Sequence, residues 1–71
     1  MGNDDLIRRA MVAWFRTPDR YQEQPDLTRS SVETIGERQY VALRNVNGVL
    51  AVYRLSRNVL RRMIRAPREI V

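Results

Sequence analysis

The fold turns on RQYVALRNVNGVLAVYRL, Arg38 to Leu55. Apolar residues recur along it with a period of two, the period of a strand with one buried face. Asn47-Gly48 falls between the apolar runs. Asn-Gly in that place is the strongest short-range hairpin signal, because both residues tolerate the positive φ of a type I′ turn. A two-residue loop at 47 and 48 sets Val46 opposite Val49, Leu43 opposite Val52, Val41 opposite Arg54 and Tyr40 opposite Leu55.

The pattern extends toward the N-terminus. Ser31 to Ile35 forms a further strand, and Gly36-Glu37 is a turn that brings Val32 opposite Val41. Three strands are therefore expected: Ser31 to Ile35, Arg38 to Asn45 and Val49 to Leu55. This register places Val32, Thr34, Val41, Leu43, Leu50 and Val52 on the core face. Glu33, Tyr40, Ala42, Arg44, Ala51, Tyr53 and Leu55 take the other face. A slip of one residue exchanges the two sets.

Helical spacing flanks this meander. Leu6, Ile7, Ala10, Met11, Ala13, Trp14 and Phe15 cover roughly 200° of a helix surface, where a surface helix needs an apolar stripe of about 100°. Asp5, Arg9 and Arg16 lie opposite, with Val12 among them. Asn3 or Asp4 caps the helix, and Thr17-Pro18 ends it, because the residue before proline is pushed out of the helical region. Residues 17 to 29 read as a polar loop; the competing reading is a short helical turn from Thr17 through Gln24. Ser56 to Ala66 reads most simply as a second helix, with Ser56 as cap, Val59, Leu60, Met63 and Ile64 as its apolar stripe, and Arg57, Arg61 and Arg65 opposite. A fourth strand after a turn at Ser56-Arg57-Asn58 competes with it, but alternation is poor through Arg61-Arg62-Met63-Ile64. The expected architecture is one α+β domain over residues 1–71, in the order α-β-β-β-α.

Composition narrows the function. The 71 residues contain no Cys and no His, and all 13 basic side chains are Arg. Disulfides, thiolate nucleophiles, Cys or His metal sites, Schiff-base lysines and phosphate-loop lysines are thereby excluded. The four Asp and four Glu lie largely in the helix start and the loop, without a cleft motif that would shift their pKa values for acid–base work. No enzyme activity, metal or cofactor is expected. The acidic start Asn3-Asp4-Asp5 is unlike a secretory signal, and the longest apolar run, Val49 to Tyr53, is far short of a membrane span. A cytoplasmic protein without membrane attachment is expected.

Charge is the best functional clue. Residues 1–36 carry a net charge of −1 and residues 37–71 a net charge of +6. Arg54, Arg57, Arg61, Arg62, Arg65 and Arg68 follow one another with no acid between them. Arg57, Arg61 and Arg65 at helical spacing suit successive phosphates, so DNA or RNA is the expected partner. An acidic protein partner is the alternative. Self-association is expected as well, since a single core below about 80 residues supplies little stability without a disulfide or metal. Two surfaces are candidates for a homodimer interface: Trp14 and Phe15 on the helix, and Tyr40, Tyr53 and Leu55 on the sheet.

Overall fold

The structure, a computed structural model, describes residues 3–16, 23–65 and 67–70. Helix α1 runs Asn3–Arg16, followed by strands β1 (Ser31–Ile35), β2 (Arg38–Asn45), β3 (Gly48–Ser56) and β4 (Val59–Arg62). The strands form one antiparallel sheet in the order β1-β2-β3-β4. The α+β class holds. The sheet has four strands where three were expected, and β4 stands where a second helix was expected over Ser56 to Ala66. The short helical turn weighed for Thr17 to Gln24 falls mostly on residues 17–22, outside the described residues; Glu23 and Gln24 have no regular structure. No described helix is long and apolar enough to cross a membrane.

The β4 correction has a local cause. Arg57 and Asn58 both sit at positive φ, 52° and 65°, and Ser56 pairs with Val59 across them. Two successive left-handed residues make a type I′ turn, which right-handed strand twist favours but which usually calls for Asn-Gly. Arginine in that position gives almost no signal. The arginines that spoil the alternation are placed one on each face of the edge strand. Arg62 faces α1, where its guanidinium lies 5.4 Å from the centre of the Trp14 ring, a cation–π contact. Arg61 faces the other side. The turn is also tied to the helix, since the Arg9 guanidinium donates to Asn58 O (2.7 Å) and Asn58 Oδ1 (3.4 Å).

The β1–β2 register is as expected, with Val32↔Val41 and Ile35↔Arg38 around Gly36, whose φ is 64°. The β2–β3 register departs from the expected one, by two residues next to the turn and by one from Leu43 onward. Asn45 pairs with Gly48 and Arg44 with Val49, so the loop is Val46-Asn47. Gly48, at φ 117°, is the one residue of this turn with positive φ. The Asn45 Oδ1 accepts the Asn47 N–H at 2.8 Å, an Asx turn that orders the loop from its first residue. With neither Val46 nor Asn47 at positive φ and a left-handed glycine just after them, the turn is not of the type I′ form. The register then shifts between Leu43 and Arg44, leaving Leu50 as a bulge, and continues as Leu43↔Ala51, Ala42↔Val52, Val41↔Tyr53, Tyr40↔Arg54 and Gln39↔Leu55.

The faces of β1 and β2 therefore stand as expected, while β3 is inverted. Ala51, Tyr53 and Leu55 join Val32, Thr34, Val41 and Leu43 toward α1. Val52 and Arg54 join Glu33, Tyr40, Ala42 and Arg44 on the distal face. The main core lies under α1, where Ile7 and Ala10 meet Val41, Leu43, Ala51 and Tyr53, with Leu6, Met11, Trp14, Leu27 and Leu60 around them. Alanine at 10 and 51 lets helix and sheet approach closely. The expected apolar arc is too wide by one residue, because Phe15 is 61% exposed. A second cluster covers the distal face, where Ile70 packs on Tyr40, Ala42 and Val52.

Two outcomes follow from this packing. Replacing Arg57 by Asn and Asn58 by Gly gives the turn the residues its geometry prefers. The double variant is expected to gain about 1 kcal/mol, or roughly 4–8 °C in Tm, by thermal denaturation, and an unchanged or lower Tm contradicts the turn. The Tyr53 hydroxyl is buried without a hydrogen-bond partner among the described residues, and burial raises its pKa. Tyr53→Phe removes an unmet polar group at nearly constant volume, so stability in urea is expected to rise by about 1 kcal/mol, and a loss of that size speaks for a hidden partner.

Candidate nucleic-acid interface

The arginines are distributed by the sheet and not by a helix. On the distal face Tyr40 pairs with Arg54, and Arg54 pairs with Arg61. Directly opposed residues of an antiparallel pair have Cα atoms about 4.5–5.5 Å apart. Two guanidiniums therefore leave the same spot of the sheet, an arrangement that destabilises a strand pair unless something neutralises it. No described carboxylate does so. The ion pair among the described residues joins Arg29 to Asp26 (3.4 Å), and Glu33, at the far end of the same row, accepts from Ser31 Oγ (2.8 Å). From Arg38 to Arg68 the chain has eight Arg and no Asp or Glu.

Further arginines gather at the same end of the sheet. Arg38 begins β2, two residues before Tyr40 and on its face, and is exposed. Arg57 is exposed at the tip of the β3–β4 turn. That turn and the Gly36-Glu37 turn lie at one end of the meander, so Arg38, Arg54, Arg57 and Arg61 form one group. Arg65 and Arg68 are exposed on the segment that returns to the distal face at the buried Ile70. Arg44 shares the face but is engaged, donating to Ser31 Oγ (2.7 Å) and Arg29 O (3.4 Å).

Of the six arginines read from the sequence, Arg54 and Arg61 are brought together, Arg57 stands beside them, and Arg65 and Arg68 extend from the tail. Arg62 is turned away onto Trp14. The expected helical row of Arg57, Arg61 and Arg65 is not formed, because β4 replaces the helix. Arg38 was missed, although its spacing of two from Tyr40 gave the signal. The expected sheet interface is broken up: Tyr40 is on the distal face at 8% exposure, while Tyr53 (3%) faces α1 together with the half-buried Leu55. Trp14 is half-buried, its indole N–H donating to Glu23 O (3.2 Å). Phe15 is the one residue of the two expected interfaces that the structure leaves exposed.

The remaining polar constructions are structural in character. Asp26 holds the corner before β1. Its Oδ1 accepts from the Thr28 N–H (3.0 Å) and Thr28 Oγ1 (2.8 Å), and its own N–H donates to Arg44 O (2.7 Å). Buried Ser30 completes the corner, donating to Asp26 O (2.9 Å) and accepting from the Arg44 N–H (3.0 Å). A shallow depression of about 430 Å³ lies beside it, lined by Asp4, Ile7, Leu27, Thr28, Ser30, Ser31 and Val32. It gathers no pair of carboxylates, and no group of three potential metal ligands occurs among the described residues. Neither a protein-family model, nor a curated protein, nor a solved structure matches this chain.

The Thr28 hydrogen bonds, aided by Arg29, hold the Asp26 carboxyl below its ordinary value of 3.8. A carboxyl depressed by folding contributes stability above its unfolded pKa and loses it as pH falls through the folded one. The Tm advantage of the parent over Asp26→Asn is therefore expected to be full at neutral pH and to shrink below about pH 3.8. A difference that stays constant down to pH 2 removes this carboxylate from the corner's energetics.

Proposed function

We propose that the protein binds nucleic acid without catalysing a reaction, setting a phosphate backbone against Arg38, Arg54, Arg57 and Arg61. The observation that supports this most is the opposed Arg54–Arg61 pair, which lacks a described carboxylate partner. Such a pair costs folding energy on the order of 0.2–1 kcal/mol, which a bound phosphate offsets. Guanidinium forks grip phosphate with two parallel bonds, and each neutralised phosphate releases counterions. Arg65 and Arg68 extend the surface along the tail. In the same reading two chains associate through α1, where Val12 and Phe15 are more than half exposed on the side of the sheet away from the arginine group.

Arg54→Gln with Arg61→Gln tests the reading, because glutamine keeps a long polar side chain at the half-buried position 54 and the exposed position 61. Nucleic-acid affinity of the double variant is expected to fall similarly across sequences, and the slope of log K against log salt to drop by roughly two, about 0.9 per lost contact on duplex DNA. Arg8→Gln with Arg16→Gln on α1 leaves both quantities as in the parent, and sedimentation of the same samples gives a dimer. An unchanged slope in the sheet variant removes the pair as the binding element. A parent that binds no nucleic acid at low salt gives way to the acidic protein partner.

A further inference from the structure

We infer that the nucleic acid held by this face is a duplex and not a single strand, an inference that rests on the function proposed above. Proteins that grip single strands combine positive charge with exposed aromatic rings on which successive bases stack. The arginine group has charge and, among the described residues, no such ring. Among the described residues, Tyr40 lies on the same face but is buried beneath Ile70, and Tyr53 is buried on the opposite face. Trp14 lies on the α1 side, with its ring under Arg62 and its N–H committed to Glu23 O. The exposed Phe15 is on α1, with the sheet between it and the arginines.

Among the described residues no helix is placed to read base edges. The single described helix packs on the other face of the sheet, so no helix projects beside the arginine group toward a groove. What remains is attraction between guanidinium and phosphate, which follows charge density. A duplex carries one phosphate per about 1.7 Å of axis, twice the line density of either strand at the same rise. The group spans β2 to β4, about 10 Å across, so it presents a patch and not a line. A rigid duplex meets such a patch with its phosphates already in place, whereas a flexible strand must be ordered against it without stacking to compensate.

Fluorescence anisotropy with labelled oligonucleotides of one length tests this: a mixed-sequence DNA duplex, a mixed-sequence RNA duplex, and a dT homopolymer, which does not fold on itself. Titrations at roughly 50 and 200 mM salt give affinity and slope together. At least one duplex is expected to bind about tenfold or more tighter than the dT strand, with a steeper salt dependence and little change on shuffling its sequence. Preference for only one of the two duplexes supports the inference and identifies its source as DNA or RNA. The Arg54→Gln, Arg61→Gln variant is expected to lose most of the duplex preference. A dT strand bound as tightly as both duplexes overturns the inference and leaves the proposed function standing. Binding to none of the three at the lower salt overturns the proposed function itself.

Discussion

The hydrogen bond from the Asn47 N–H to Asn45 Oδ1 has consequences far beyond its turn. It orders Val46-Asn47 as the loop, leaves the left-handed conformation to Gly48, and so sets where β3 begins. The Leu50 bulge, three residues on from Asn47, then decides which β3 residues face α1. Tyr53 and Ala51 enter the core because of that register, and Arg54 is sent to the other side. β4 inherits its register from β3 through the Arg57-Asn58 turn, so Arg61 emerges beside Arg54 and Arg62 beneath Trp14. The core and the charged surface thus both follow from this turn and the bulge beside it.

Strand β2 shows how so short a chain builds a core without a disulfide or metal. Tyr40, Val41, Ala42 and Leu43 are buried in succession, which requires cover on both faces. Helix α1 covers one face and Ile70 the other. Small side chains stand where the layers meet most closely, at Ala10, Ala42 and Ala51. Polar closure of the remaining gap falls to the Asp26–Ser30 corner, which ties the approach to β1 back onto β2.

Much of this was legible in the sequence, and the failures have physical causes. Helix α1, strands β1 and β2 and their shared register follow from periodicity and the Gly36 turn. The Asn47-Gly48 pair was read correctly as a turn and wrongly as a type I′ loop, because the competing Asx bond comes from Asn45, a residue that also fits a strand. The shift of the turn is two residues and keeps each side chain on its face; the Leu50 bulge, which no residue type announces, is what moves Tyr53 and Leu55 to the α1 side. The fourth strand was hidden by Arg57 in a left-handed position and by Arg62, which lies on the α1 side of the sheet edge, exposed to solvent and against Trp14, far away in sequence. The concentration of arginine in the C-terminal half was plain from charge alone. Its arrangement was not, since helix and hairpin distribute Arg54, Arg57, Arg61 and Arg65 quite differently.

The contact between Arg62 and Trp14 also makes the molecule its own optical gauge. Trp14 is the sole tryptophan, and its ring lies against the last residue of the edge strand while its N–H holds the chain entering the sheet at Glu23. Its emission therefore reports on a seam where helix, edge strand and connector meet. Peeling of β4 from the sheet takes the Arg62 charge away from the indole and Leu60 away from the edge of the core, while α1 still covers Val41 and Leu43. Fraying at that edge and global unfolding thus leave separate marks on a single intrinsic fluorophore.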